Sequence, residues 1–266
     1  MTQKPVLYFG DTSLQTAAGY LAGLLSHFAL GFDYVPSDKD VNGQPISGRS
    51  LFIVSDYPSA RMSEARQREI VRQVELGSGL LMIGGWESFW GTSGQWAGTV
   101  LGAILPVHIA RHDDRINCDQ PALVRCVDKH VICQDLPWDK RPPTIGGFNR
   151  FSAKDDATTV LEVERFSARQ AGGEMRFESL DRNPLLVVGK HGKGRTAALA
   201  TDLAPHWVGG LVDWSTGNTD RVTAEAPDSW PIEVGGCYAQ FVRNLLTWTG
   251  HMEVSLPTKA VAETIS

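Results

Sequence analysis

Cysteine is scarce in this chain. Cys118, Cys126, Cys133 and Cys237 are spread over 266 residues, and no two form a Cys-x-x-Cys pair. Free thiols in a reducing cytoplasm are the expectation. The opening Met1-Thr-Gln-Lys-Pro lacks the charged, apolar, then small pattern of an export signal, which points the same way. No apolar run approaches membrane-spanning length, so no membrane helix is expected. Net charge is −5, and Lys and Arg form neither a stripe nor a basic tail. Nucleic acid and anionic membrane are therefore not expected as partners.

Motifs that would name a reaction are missing as well. A G-x-x-x-x-G-K-[ST] phosphate loop belongs between a strand and a helix. Gly189-Lys-His-Gly-Lys-Gly194 lies between two apolar runs and has no Ser or Thr after its Lys, so it reads as a hairpin turn. A G-x-S-x-G nucleophile elbow is not met at Ser88, because Glu87 and Phe89 flank it and Gly84, Gly85 and Gly91 are displaced. His108, His112, Asp113 and Asp114 have metal-ligand chemistry. Pro106 and Val107 argue for extended chain there, which parts the two histidines. We read a solvated charged turn, and expect no metal and no cofactor. Asp113-Asp114-Arg115 stays open to two readings, an internal ion-pair and capping cluster or a ligand-binding group.

What is present is ordinary globular material. A chain 42% apolar and 21% charged suits one large domain over residues 1–266, with an irregular middle segment 111–181 and a long loop 208–235. Eight tryptophans is a high count. Trp86, Trp90, Trp207, Trp214 and Trp230 fall in expected loops and suggest aromatic walls around a cleft or an interface.

Apolar runs at Val6 to Phe9, Phe32 to Val35, Leu51 to Val54 and Leu80 to Ile83 read as strands. Helical spacing over Thr16 to Leu30 follows the cap-type residues Asp11, Thr12 and Ser13. A second helix spans Ser63 to Leu76, with Gly77 behind it. This alternation predicts a doubly wound, mostly parallel sheet sandwiched by helices. A short helix and a strand are expected within Val100 to Ile109, and strands at Ala122 to Val127 and Thr159 to Val163. Trp138 to Gly147 reads as loop. Leu185 to Val188 and Arg195 to Ala200 make an added β-hairpin. Tyr238 to Trp248 is a helix with Phe241, Leu245 and Trp248 on one face, and the tail after His251 is expected to fray. In open α/β sheets ligands sit beyond the carboxyl ends of the strands, which singles out the loop Gly84 to Trp90.

Three stretches, taken in order, carry a resemblance. Gly79-Leu-Leu-Met-Ile-Gly-Gly-Trp comes first, and Leu105-Pro-Val with Asp113-Asp-Arg follows. Pro184-Leu-Leu-Val-Val-Gly-x-x-Gly-Lys-Gly-Arg with Thr201-Asp-x-x-Pro-His-Trp207 completes the set. Together they resemble the glutamine amidotransferase-like family of bacterial cytoplasmic proteins, within the class I glutamine amidotransferase-like superfamily and similar to trehalose-utilisation-type proteins. The resemblance implies a flavodoxin-like α/β sandwich and a cytoplasmic protein. Working members of that superfamily resemble one another in a Cys on the tight turn after a central strand, with a downstream His and Glu. Here that turn is Gly84-Gly85-Trp86, and Trp207 and Val208 follow His206. Glutaminase activity is therefore not expected.

The expected role is binding of a small polar metabolite at the strand ends. Asp56, Gly85, Trp86, Trp90, Arg115 and Trp207 are the candidate contacts. A second reading is a hydrolase or isomerase with His206 and a carboxylate, Glu87 or Asp114, as acid and base. A third is an assembly role, with the 208–235 loop covering a neighbouring subunit of a homo-oligomer.

Overall fold

Val6–Gly10 forms β1, Ala18–His27 α1, Phe32–Pro36 β2, Leu51–Ser55 β3, Glu64–Leu76 α2 and Gly79–Ile83 β4. The computed structural model describes residues 5–41 and 43–253. Every residue of β1, β3 and β4 is buried, so these strands carry unbroken apolar runs instead of an alternating pattern. That is the signature of parallel strands covered on both faces. Helix α2 buries Gln67, Ile70 and Val74, one stripe of its surface. The Ser63 side chain caps its start by accepting from Arg66 N, and Gly77, at a φ of 129°, ends it.

Beyond β4 come α3 (Val100–Ala103), β5 (Val107–Ile109), β6 (Arg115–Cys126), β7 (Thr144–Asn149), β8 (Phe151–Ala153), β9 (Thr158–Ala171) and β10 (Glu174–His191). β11 (Gly194–Leu199), α4 (Pro205–Val208), β12 (Arg221–Ala224), β13 (Ile232–Gly235) and α5 (Gly236–Thr249) complete the described chain. Nine strands share one sheet in the order β2-β1-β3-β4-β11-β10-β9-β6-β7. The first five are mutually parallel, and each later neighbour is antiparallel to the one before. Helices flank this sheet, so the fold is mixed α/β with a large central sheet. Chain order reverses at β1, whose successor β2 lies on one side and β3 on the other. Such a reversal opens a crevice at the carboxyl ends of the strands.

The structure departs from the sequence expectations in three places. The middle segment 111–181 is not irregular: β6, β7 and β9 lie in the main sheet, and β7 takes the end of the expected loop 138–147. The 208–235 segment is not structureless either. It holds the β12–β13 hairpin, and Trp214 is buried with its ring 4.3 Å from that of Trp138. Finally, α1 starts at Ala18 without a side-chain cap, because its N-cap position is Ala17; Asp11 lies further back and holds Thr12 N at 2.6 Å and Thr16 Oγ1 at 2.8 Å. The tail expected to fray lies, from residue 254 onward, outside the described residues.

Candidate functional site

The site is built on a gap. β4 ends in Gly84-Gly85, and neither position has room for a side chain. A Cβ on Gly84 would stand 1.9 Å from Ala200 O. At Gly85, whose φ is 154°, a Cβ would stand 2.1 Å from Asp56 Oδ1. The place where a side chain would rise from this turn is thus taken by the Asp56 carboxyl group. Asp56 follows β3 in a left-handed conformation, at a φ of 51°. Its N–H donates to Ser88 Oγ at 2.9 Å, and its Oδ1 accepts from Glu87 N at 2.8 Å.

Three acidic residues from three strand ends meet beside that gap. Asp11 follows β1, Asp56 follows β3 and Asp202 follows β11. With Tyr8, Ser55 and Leu203 they line a narrow cleft of about 10 Å³, roughly enough for one water molecule. Asp202 is 4% exposed. Its Oδ1 accepts from Leu203 N, and from Ala204 N at 3.0 Å. Its Oδ2 has no aligned hydrogen bond, although His206 Nε2 lies 3.2 Å away. His206 sits on the first turn of α4, half exposed, at the mouth of the cluster. Tyr238, on α5, steadies the turn after Asp202 by donating its hydroxyl to Leu203 O at 2.7 Å.

Burial raises both central carboxyl groups. Asp56 is pushed up to about 7, first by desolvation and then by the charge of Asp202, against the Glu87 N–H and His206, which pull it down. Asp202 is likewise raised to about 7, by desolvation first, with its two backbone N–H donors opposing. Two such groups titrate as a pair and hold a proton near neutrality. The folded protein therefore keeps protons that the unfolded chain, with an ordinary value of 3.8, has already released. The stability contributed by this pair falls as pH rises from about 4 to about 7, then levels off. We expect Asp202→Asn to flatten that fall in a plot of urea midpoint against pH. An equally steep fall in the variant would contradict the assignment.

A second set of groups shapes the loop around the gap. Asp114, 3% exposed, accepts from Trp90 N at 3.1 Å and Gly91 N at 3.0 Å. Fully buried Asn149, at the end of β7, donates to Asp114 Oδ1 at 2.8 Å and to Gly85 O at 3.2 Å. Its Oδ1 accepts from Gly85 N at 2.9 Å. Burial raises Asp114, and these donors hold it down. The internal contacts of Asp113-Asp114-Arg115 divide into two jobs. Asp114 caps the loop, while Arg115 pairs with Asp113 through contacts of 2.9 and 2.7 Å. Arg115 also lies 4.8 Å over the ring of Trp86, which is 49% exposed.

Of the residues singled out in the sequence, the structure brings Asp56, Gly85 and His206 into one cluster. Trp86 follows Gly85 in the chain, with Arg115 against it. Glu87 turns to Ser93 Oγ, 2.8 Å away, and Asp114 is committed to the loop. Half-buried Trp90 meets Asp114 through its backbone. Trp207 is buried, and its indole N–H donates to Asn117 Oδ1 at 2.8 Å. Asp11, Asp202 and Asn149 escaped the list of candidates. Asp202 lies inside a motif the sequence singles out, Thr201-Asp-x-x-Pro-His, although only its His206 is a candidate there. Among the described residues no group of three or more His, Cys, Asp or Glu is placed to hold a metal ion.

A family model, GATase1_like, described as "Putative glutamine amidotransferase", matches residues 46–222. Among solved structures, cytoplasmic protein STM3548 of Salmonella typhimurium is similar at 24% identity and a TM-score of 0.67, covering 93% of this chain and 99% of its own. Cytoplasmic protein STM1381 of Salmonella typhimurium LT2 is similar at 23% identity and a TM-score of 0.67, covering 92% and 98%. The mmIFT52 N-terminal domain shares the fold at 10% identity and a TM-score of 0.55, covering 94% and 100%. No curated protein matches the chain. Because the family model spans well over half of the residues, the chain belongs to the glutamine amidotransferase-like family GATase1_like.

Proposed function

We propose that this protein keeps the amidotransferase-like fold without glutaminase activity and binds a small polar metabolite over the mouth of the Asp56–Asp202–His206 cluster, where half-exposed His206 meets solvent. The observation that carries the proposal is a pair of buried carboxyl groups raised to about 7 beside a turn with no side chain. Such a pair can both donate and accept hydrogen bonds near neutrality, relayed to the surface through His206 or the single water its cleft admits, which suits hydroxyls of a sugar or polyol, or an amino group. Exposed Trp86 offers a flat apolar wall next to it. The thiols speak against glutamine attack. Cys237 is pushed up by burial and by Asp220, the reverse of what a nucleophile needs. Cys118 and Cys126 lie on β6, four places from β4 in the sheet.

The finer fold reading is flavodoxin-like and doubly wound. β1-α1-β2 and β3-α2-β4 step in opposite directions along the sheet, and right-handed crossovers then set α1 and α2 on opposite faces. A cytoplasmic location is supported by the names of the two Salmonella proteins.

The test is a thermal-shift panel of sugars, polyols, amino acids and amines on wild type, Asp202→Ala and His206→Ala, with ammonia release from glutamine measured alongside. We expect at least one compound to raise the wild-type midpoint and to lose that effect in both variants, with ammonia at the uncatalysed rate. A panel with no hit, or equal shifts in all three proteins, counts against binding at this cluster. Measured glutaminase turnover counts against the rest. The 3.2 Å approach of His206 Nε2 to Asp202 favours a second reading, acid–base catalysis on the bound compound. It predicts that His206→Asn still binds the hit but no longer converts it.

A further inference from the structure

β9 and β10 run well past the sheet that holds them. β6 pairs with β9 only at Leu161 to Glu164, and β11 pairs with β10 only from Leu186 onward. Between those limits the two strands pair with each other alone, out to Ala171↔Glu174. Gly172 and Gly173 close the tip with φ values of 61° and 85°, the left-handed pair that a tight two-residue hairpin needs. All twelve residues from Arg169 to Leu180 are exposed. At the base the arm is braced. Arg165 binds Asp181 through two contacts, and Arg125 meets Glu164 at 2.7 Å.

The two faces of the arm differ. Cross-strand partners share a face, so Phe166, Ala168, Met175 and Phe177 stand together through the pairs Phe166↔Ser179, Ala168↔Phe177 and Gln170↔Met175. Phe177 is 66% exposed, Met175 55% and the neighbouring Leu180 60%. The other face carries Arg169 opposite Arg176, with Glu174 and Glu178 on either side. Among the described residues none of these four makes an ion pair. A lone two-stranded ribbon is at best marginally stable in water, and this one is held out at its base with its apolar face uncovered.

We infer that the arm is an exchange element that embraces a second copy of this chain. Two observations choose that occupant. The exposed stretch holds two arginines and two glutamates, so it is neutral and offers no attraction to nucleic acid or an anionic surface. Size decides the rest. A stable interface takes about 800 Å² per partner from 20–30 residues, about 30 Å² each. One arm of twelve residues docked one way supplies roughly half of that area. Two arms exchanged across a two-fold axis give each partner its own arm plus a receiving surface, which reaches the full amount.

Light scattering on the full chain tests this. We expect wild type at micromolar concentration to have twice the 29.1 kDa chain mass. Met175→Asp with Phe177→Asp should give the monomer mass, with unchanged circular dichroism. Should that variant fail to fold, replacing residues 168–177 by Asn-Gly, which closes the ribbon on the pair Ser167↔Glu178, carries the same expectation and leaves the braced base intact. A wild type that is monomeric throughout overturns the inference and hands the arm to a different partner. A dimer that survives loss of the arm overturns it too.

Discussion

Gly84→Ala lowers stability by about 3–5 kcal/mol, seen as a fall in urea midpoint at unchanged slope. The added Cβ would stand 1.9 Å from Ala200 O and 2.5 Å from Ala200 C, which are backbone atoms and not the tip of a flexible side chain. Nor can that backbone retreat cheaply. Ala200 O accepts from Asn149 N at 2.9 Å, and Gly84 N donates to Leu199 O at 2.7 Å. Relief of the clash therefore requires parting β4 from β11 at the centre of the sheet. Gly217→Ala is the control. Its Cβ would meet nothing within 4 Å, and the expected change is within about 0.5 kcal/mol. A loss below about 1 kcal/mol at Gly84 would show that the two strand ends are looser than the structure has them.

Asn149→Ala should cost about 3–4 kcal/mol, with a second effect at the loop. The substitution leaves Gly85 N and Gly85 O without their side-chain partner and takes one of three donors from Asp114. Each buried polar group so abandoned costs about 1–3 kcal/mol. Trp90 N and Gly91 N still reach Asp114, so the loop from Gly84 to Gly91 stays anchored at its far end and loosens at the near one. Amide exchange should then quicken at Gly85 while changing little at Gly91. Uniform quickening along the loop would mean that Asn149 supports the whole fold and has no special hold on this turn.

Much of the parallel half was legible in the sequence, because β1, β3 and β4 are unbroken apolar runs and α2 shows an apolar stripe between Ser63 and Gly77. The reasons are local, and local reasons survive in a linear string. Asn149 carried no such mark. Its partners lie 64 and 35 residues away, and nothing in Gly146-Gly147-Phe148-Asn149 tells a clamp from a loop asparagine. Asp11 did carry a local signal, that of a helix cap, and the signal pointed to the wrong use. Its side chain holds Thr12 and Thr16 before the helix begins, while its charge acts on Asp56 and Asp202 across the strand ends. The projecting arm was readable in principle. Phe166 and Ala168, then Met175 and Phe177, alternate around Gly172-Gly173 as a hairpin should. Charged residues between them made the stretch look irregular, because an arm with no sheet beneath it has no buried face to sharpen the alternation.

The space shared by Gly85 and Asp56 also limits which substitutions this turn can accept. A residue with a Cβ at position 85 and a carboxyl group at its present place on Asp56 exclude each other. Placing a thiol on this turn would therefore take at least two changes, and either change alone is penalised: the first by collision, the second by stripping Glu87 N of its acceptor. The two positions are therefore coupled, and no single codon substitution places a thiol on this turn without penalty.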